Sequence, residues 1–199
     1  MSSHHFVREG QEPALFLLEA AEFSVVEPLL EWAPLVVVSE TAVERVLIWG
    51  IKIDVVLQEK RDQSDLEDLL QIQYPLTITP ARNGIVNSGL NFIRESGHAA
   101  VNIVGVPTDG LLQSIEDARA QLQINIFWAQ QKWSYVTSGV YEKWLESGQS
   151  LEIRQKSGFD ISVQGLEHTG QNGWKVVQTG LITVKSGAAM WIGQQISEG

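Results

Sequence analysis

A short run of mixed charge follows the apolar segment Ile53–Leu57 in this chain. The run is Gln58–Asp62 (QEKRD), which places carboxylates beside one ammonium and one guanidinium. Carboxylates in a loop can hold a divalent cation, whereas Lys and Arg side chains can hold a phosphate or a carboxylate. A solvated loop without chemistry is the third interpretation, because runs of charge usually lie on the surface. The elements around the run decide which groups it can meet.

Up to about residue 130, the chain alternates short apolar runs with helix-like segments. The strand-like runs are Pro34–Glu40, Ile53–Leu57, Tyr74–Pro80 and Ala99–Val106. The helix-like segments are Thr41–Gly50, Ser64–Ile72, Asn83–Gly97 and Ser114–Leu122. Apolar strands separated by helices predict an α/β fold with a mainly parallel, Rossmann-like sheet covered by helices. Gln123–Gln131 fits either a strand or the end of a helix, because its period and its length disagree.

The predicted parallel sheet brings four loops to one edge. Right-handed crossovers place every loop that follows a strand at the carboxyl end of the sheet, where ligands bind in open α/β folds. These loops are Ser39-Glu40, Gln58–Asp62, Thr79–Asn83 and Val106–Gly110. Any functional site in the first part of the chain is expected there.

The last 60 to 65 residues have a different pattern. Short segments of period 2, such as "SLEIRQ" and "LITVKSG", are separated by Gly, Ser and Asn. This pattern is typical of a small antiparallel β-sandwich. We therefore predict two domains packed on each other: an α/β domain over residues 1–133 and a β-sandwich over residues 134–199. Trp133–Ser150 is expected to connect them.

Composition narrows the range of partners. The formal net charge of −10 disfavours nucleic acid and an anionic membrane, since both select clustered Lys and Arg. The chain has no Cys, and its four His residues lack the spacing of a metal site. The first ten residues lack an apolar signal core, and no apolar run approaches the length of a membrane span. We expect a cytoplasmic protein.

Several catalytic motifs are missing from the sequence. It contains no GxGxxG after a strand, no GxxxxGK[ST] and no GxSxG. The acid pairs Asp65/Asp68 and Glu116/Asp117 fit a solvated helix surface better than acid–base catalysis. No catalytic residue is assigned on this basis.

The order of the segments resembles the thiamine pyrophosphokinase family. "WGIKIDVVL" (Trp49–Leu57) is similar to the family's "LGIKPD" turn and "VVLGDFDS" strand and loop, and "SGHAAVNIVGV" (Ser96–Val106) is similar to its "GADEIIILGA" segment. The resemblance extends over roughly residues 34–193 and ends in a β-rich tail. It implies the reaction of ATP with thiamine to give AMP and thiamine diphosphate, with Mg²⁺. It also implies a homodimer whose thiamine site lies between one subunit's α/β domain and the other's β domain.

The acidic motifs of the family are altered in this chain. The loop "GDFDS" corresponds to Gln58–Asp62, where Glu59 keeps the first acid and Arg61 replaces the second. The motif "DKTD" corresponds to Arg82–Ile85, which has no carboxylate. The motif "GGRLDH" corresponds to Thr108–Gln113, in which Asp109 is displaced. Since Mg²⁺ requires oxygen ligands, these changes predict no metal or cofactor site and a chain that is degenerate in catalysis.

Two interpretations of the loop remain open at this point: a site that has drifted into a solvated loop, and a site in which Lys60, Arg61 and Arg82 bind an anion directly. The candidate ligand-binding residues are Glu59, Lys60, Arg61, Arg82, Thr108 and Asp109. Three functions follow: an active pyrophosphokinase with rearranged ligands, a module that binds thiamine, a nucleotide or another small anion, and a non-catalytic structural or partner-binding homodimer.

Overall fold

The computed structural model describes residues 12–31, 34–118, 122–155 and 158–196. The chain divides between Ala129 and Gln130 into two compact units. The division precedes the predicted boundary at 133/134, which falls inside a strand, Gln131–Val136. Trp133–Ser150, expected to connect the domains, belongs instead to two antiparallel strands and their turns in the second unit.

The first unit is a parallel sheet between helices. Its strands are β1 (Ala14–Leu17), β2 (Val36–Ser39), β3 (Val55–Gln58), β4 (Thr77–Pro80), β5 (Ala100–Val104) and β6 (Gln123–Trp128). Its helices are α1 (Phe23–Val26), α2 (Val43–Ile48), α3 (Gln63–Leu70), α4 (Ile85–Glu95) and α5 (Asp109–Ala118), with short 3₁₀ turns at Glu27–Leu30 and Gln71–Gln73. The strand order is β6-β5-β1-β2-β3-β4, and every ladder in it is parallel. The predicted α/β sheet is confirmed.

Helices cover both faces of this sheet. On one face, Leu15 and Val38 lie in a buried cluster with Val43 and Val46 of α2 and Leu66 of α3. On the other face, α4 lies so close to the sheet that a Cβ added at Gly89 would come 2.3 Å from the Phe16 ring. Burial on two sides explains why the strands are apolar at successive positions rather than at alternate ones.

The central strand of the sheet was missed by the sequence analysis. β1 lies between β2 and β5, but the predicted alternation started only at Pro34. The run "ALFL" is entirely buried, as expected for an inner parallel strand. Its neighbours come from distant parts of the chain, with Leu15 beside Val36 and Asn102 in the two ladders. The sequence of a four-residue run does not indicate which distant strands will pair with it.

The starts of helices α3 and α5 are two of those that differ from prediction. Ser64 was expected to cap α3, but the helix begins at Gln63 and Ser64 lies inside it. The last helix was predicted over Ser114–Leu122, and α5 instead begins at Asp109, because the Thr108 hydroxyl accepts a hydrogen bond from the Leu111 N–H at 3.2 Å. Residues 119–121 of that prediction lie outside the described residues. Gln123–Gln131, left open by the sequence, contains strand β6, which pairs in parallel with β5.

The second unit is an antiparallel β-sandwich, as predicted. Its strands are β7 (Gln131–Val136), β8 (Val140–Leu145), β9 (Ser150–Gln155), β10 (Ile161–Gln164), β11 (Leu166–Gly170), β12 (Gly173–Val176), β13 (Gly180–Ser186) and β14 (Met190–Gln195). One layer has the order β11-β12-β9-β14-β7, and the other has the order β10-β13-β8. Leu145, Ile153, Val184 and Ile192 lie in the buried cluster between the two layers.

Candidate functional site

The loops that follow the parallel strands lie at one edge of the first unit, as the sequence predicted. Gln58 at the end of β3 is in register with Pro80 at the end of β4, and the Ala81 N–H donates to the Gln58 carbonyl at 2.7 Å. The loop after β3, Glu59–Asp62, and the turn at Arg82 are therefore neighbours. This edge is the candidate site.

Glu40 holds the loop after β3 in place. Its side chain is 5% exposed at the end of β2. Oε2 of Glu40 accepts backbone N–H groups from Glu59 at 2.8 Å, Lys60 at 3.0 Å and Arg61 at 3.1 Å. Oε1 also accepts the Lys60 N–H at 3.0 Å. Successive backbone N–H groups that converge in this way form an anion-binding concavity, and here the bound anion is a carboxylate of the chain itself.

The electrostatics of Glu40 follow from these contacts. Burial raises the pKa of the Glu40 carboxyl, but the backbone N–H groups of Glu59, Lys60 and Arg61 and the charge of Arg61 outweigh burial and leave the pKa below its usual value. Glu40 is therefore ionised at neutral pH. It lies in the predicted edge loop Ser39-Glu40, yet it was not among the candidate site residues, because a single acid after a strand carries no pattern.

Arg61 forms an ion pair with a neighbouring acid. Its Nη2 lies 2.8 Å from Oε1 of Glu44 on α2, and the two side chains are 37% and 64% exposed. The guanidinium therefore stands beside a carboxylate at the position where the resemblance places the second acid of the family. Of the three cationic side chains Lys60, Arg61 and Arg82, Arg61 is therefore the least available to bind an added anion.

Lys60 and Arg82 are placed differently. Both side chains are exposed, and among the described residues neither has a carboxylate within 4.0 Å. Glu59 is exposed beside them. The structure thus brings Glu59, Lys60, Arg61 and Arg82 to adjacent loops, as the sequence suggested.

Thr108 and Asp109 lie elsewhere on the edge. They follow β5, which is separated from β3 by β1 and β2. Three strand spacings put the ends of β5 and β3 about 14 Å apart. Thr108 caps α5 through its hydroxyl and its carbonyl, which accept the N–H groups of Leu111 and Leu112. The six predicted residues therefore do not form one cluster.

A second acid that the sequence analysis missed lies between β1 and β5. The strand order reverses there, which makes it the switch point of the sheet. The Glu19 carboxylate accepts the Val106 N–H at 3.2 Å, so a backbone N–H at this point also donates to an internal acid. Nearby, the Ser39 hydroxyl donates to the Leu18 carbonyl at 2.7 Å and joins the ends of β2 and β1. Glu19 was missed because β1 was missed.

The residues at the edge do not fit the Mg²⁺ that the resemblance implies. Both oxygens of Glu40 accept hydrogen bonds from backbone N–H groups. The nearby carboxylate of Glu44 is paired with the Arg61 guanidinium. Within the described part of the chain, no group of three His, Asp or Glu side chains is placed to hold a metal ion. An octahedral cation that needs several oxygen ligands would meet cationic side chains here instead.

The second unit carries a polar cleft of about 330 Å³. It lies between the ends of β7, β9 and β14 and the turn that joins β11 to β12. Its lining contains side-chain amides and one carboxylate, and it includes Gln131, Ser150, Glu152, Asn172, Trp174 and Gln195. Glu152 is paired with Arg154 at 2.7 Å, so the cleft has little unbalanced charge.

The fold and this edge define a class of protein: a doubly wound α/β unit followed by an antiparallel β-sandwich. No protein-family model matches the chain, and no curated protein matches it in sequence. Several solved structures, in contrast, are similar to it in fold. Thiamine pyrophosphokinase from Bacillus subtilis matches with a TM-score of 0.67 and 11% identity, over 94% of this chain and 100% of that one. Thiamin pyrophosphokinase from Candida albicans matches with a TM-score of 0.69 and 9% identity, over 94% and 90%.

The yeast thiamin pyrophosphokinase matches with a TM-score of 0.66 and 7% identity, over 96% of this chain and 88% of that one. These matches extend over nearly the whole length of both partners. The chain therefore has the thiamine pyrophosphokinase fold, and the resemblance drawn from its segment order is confirmed at the level of the fold. Within the described residues, no helix has the length and apolar character to cross a membrane.

Proposed function

We propose that this chain is a thiamine pyrophosphokinase-like protein that has lost pyrophosphoryl transfer. The observation that carries the proposal is the Glu40 carboxylate, which accepts the N–H groups of Glu59, Lys60 and Arg61. Those N–H groups follow β3, where the resemblance places the family's acidic loop. A loop whose donors are already bound to an internal acid supports a structural role for the edge rather than a catalytic one.

Charge supports the same conclusion. A phosphate brought about 4 Å from the Glu40 carboxylate would be repelled by about 4 kcal/mol per charge at an effective dielectric constant of about 20. A metal ion that bridges the two anions would remove this cost, but among the described residues no three His, Asp or Glu side chains are placed to hold one, and Arg61 stands where the resemblance places the second acid.

The test is formation of AMP. The purified chain is incubated at high concentration with ATP, thiamine and Mg²⁺, and the Bacillus subtilis enzyme is assayed in parallel. We expect AMP only from the Bacillus subtilis enzyme. Saturable AMP formation by this chain that depends on both thiamine and Mg²⁺ would overturn the proposal and favour an active pyrophosphokinase with rearranged ligands.

Binding of a small anion at the same edge is a second candidate function. It is favoured by the exposed side chains of Lys60 and Arg82, which lie on adjacent loops without a carboxylate within 4.0 Å among the described residues. Thiamine phosphates and nucleotides are ligands of this kind. Because two cations hold a phosphate without a metal, binding should persist in EDTA.

A thermal-shift titration in EDTA tests this second function. The double variant Lys60→Ala, Arg82→Ala is compared with Arg45→Ala, Arg94→Ala, which loses the same charge at two other exposed positions. Loss of the shift in the first variant alone supports the site. Equal shifts in both variants and the wild type, or no shift in the wild type, reject it.

A homodimer without ligand is the third candidate function. Trp144 on β8 and Leu181 on β13 are in register on the outer face of the three-stranded layer, and they are 67% and 57% exposed. Exposed apolar groups side by side favour a protein partner, and a second copy is the simplest. Sedimentation velocity should show a dimer that Trp144→Ser weakens. A monomer in the wild type at micromolar concentration rejects this function.

A further inference from the structure

The polar cleft of the second unit lies on one particular face of the larger layer of the β-sandwich. Leu151, Ile153 and Ile192 belong to the buried cluster between the two layers. Because side chains alternate between the two faces of a strand, Glu152 on β9 and Gly193 on β14 lie on the opposite face. The floor of the cleft is therefore the sheet surface that faces away from the smaller layer.

Two glycines leave this floor without side chains on both sides of Glu152. Gly173 of β12 and Gly193 of β14 are the ladder partners of Glu152. A Cβ at Gly193 would lie 2.6 Å from the Trp133 ring, and a Cβ at Gly173 would lie 2.7 Å from the Thr169 hydroxyl, so both positions disfavour a side chain. The cleft of about 330 Å³ has the size of a small-molecule site.

The buried indole of Trp133 holds two polar groups of the cleft in place. Its Nε1–H donates to Oε1 of Gln131 at 3.2 Å. The Arg154 guanidinium lies 4.7 Å from the centre of the same ring and donates to Oε1 of Glu152 at 2.7 Å. No hydrogen bond between described residues uses Nε2 of Gln131 or Oε2 of Glu152. The cleft thus offers one donor and one acceptor whose orientations are already fixed.

The remaining polar groups of the cleft are neutral. Gln195 lies opposite Gln131 in the ladder, and Ser150 lies two positions before Glu152. None of the described residues that line the cleft is a Lys, Arg or His. An anion would be repelled by the Glu152 carboxylate, and a cation by the Arg154 guanidinium that is paired with it. Amides and hydroxyls suit a neutral ligand whose own hydroxyls both donate and accept hydrogen bonds.

We propose that this cleft binds a neutral saccharide of one or two rings. One sugar hydroxyl donates to Oε2 of Glu152, whose side chain is 29% exposed, and another accepts from Nε2 of Gln131. The bond to the carboxylate is charge-assisted and therefore the strongest polar contact of the site. Trp174 in the lining adds apolar surface for the C–H groups of a ring. The site uses no residue of the edge around Glu40, so it does not depend on the proposed loss of catalysis.

Saturation-transfer difference NMR of the full chain tests the proposal. The probes are glucose, galactose, mannose and N-acetylglucosamine, with the disaccharides maltose, lactose and cellobiose. We expect at least one of them to bind saturably with a Kd of about 1 mM or below. Changes in ¹⁵N chemical shifts should locate it at the backbone amides of Glu152, Gly193 and the turn Thr169–Asn172. The 6-phosphate of a monosaccharide should bind more weakly than the neutral sugar, because the phosphate is repelled by Glu152.

A pair of matched double variants separates the cleft from the rest of the surface. Ser150→Ala, Gln195→Leu removes two polar side chains that make no hydrogen bond to another described residue, and it should weaken binding about tenfold, or about 1.4 kcal/mol. Ser162→Ala, Gln164→Leu makes the same two changes at exposed positions of β10 and should change the Kd less than about twofold. Urea unfolding of each variant confirms that it is folded before binding is compared.

Three results would overturn the proposal. The first is the absence of saturable binding by every sugar of the panel, which would make the cleft a solvated depression. The second is an equal effect of the two double variants on the Kd. The third is tighter binding of the sugar phosphate than of the neutral sugar, which would show that the ligand is an anion.

Discussion

Replacing Glu40 with glutamine should loosen the loop after β3 and destabilise the first unit. Glutamine keeps the size of the side chain but removes the charge that three backbone N–H groups share. A hydrogen bond to a charged group contributes about 1.5–3 kcal/mol and a neutral one about 0.5–1.5 kcal/mol. The loss is therefore about 1 kcal/mol for each N–H. Because Glu59 and Lys60 are exposed and water can reach their N–H groups, we expect a total of about 2 kcal/mol.

Urea unfolding at pH 7 measures the change in the free energy of unfolding, and hydrogen exchange locates it. The backbone amides of Glu59, Lys60 and Arg61 should exchange about 30-fold faster in Glu40→Gln, the factor that corresponds to about 2 kcal/mol. Glu44→Gln is the control, because Glu44 contacts the Arg61 side chain and is mostly exposed. Its cost should stay below about 1 kcal/mol, as for other exposed ion pairs.

The difference between Glu40→Gln and the wild type should depend on pH. The pKa of the Glu40 carboxyl is lower in the folded protein than its usual value of about 4.3, so folding favours the ionised form. Its contribution to stability is complete above the unfolded pKa and disappears as pH falls through the folded pKa. Equal stability of Glu40→Gln and the wild type at pH 7, or equal costs of Glu40→Gln and Glu44→Gln, would refute the role given to Glu40.

Two further predictions concern packing. Gly89→Ala should destabilise the chain by about 1–3 kcal/mol, because a Cβ there would lie 2.3 Å from the Phe16 ring, whereas Gly110→Ala, whose Cβ would meet nothing closer than 4.0 Å, should not. An equal effect of the two substitutions on urea unfolding would contradict the close approach of α4 to the sheet. Trp133→Ala, at a buried site, should cost about 3–5 kcal/mol, and Trp144→Ala, at a site that is 67% exposed, less than about 1 kcal/mol; similar costs would argue against the assigned burial.

The sequence predicted the arrangement of strands better than the chemistry at their ends. Apolar runs such as Val36–Ser39 carry their own signal, since a strand buried on both faces needs apolar residues at every position. The β1 strand carries the same signal over four residues, but its place at the centre of the sheet depends on ladders with β2 and β5. Because β2 and β5 lie far from β1 in the sequence, a local pattern of residues cannot show that β1 is the central strand.

In the candidate site, too, the sequence predicted residue types but not which residues come into contact. The sequence by itself showed Arg61 at the position where the family that it resembles has its second acid, and this predicted a different chemistry for the loop. The sequence did not show that Glu44 pairs with Arg61, because Glu44 lies on a different element, 17 positions earlier. The separation of Thr108 from Arg61 was also hidden, since it follows from the strand order and not from the loops themselves.

The residue order by itself thus determined that this chain has an α/β unit, an antiparallel β unit and a loop in which Arg61 stands where the family that it resembles has its second acid. These properties rest on period, length and residue type, which are local. Only the tertiary structure decided that Glu40 fills the loop it faces, because a backbone N–H has no sequence signature and its partner is chosen by which strand ends lie side by side. For the same reason, only the folded β-sandwich shows that Lys143 of β8 donates to the side chain of Gln194 of β14.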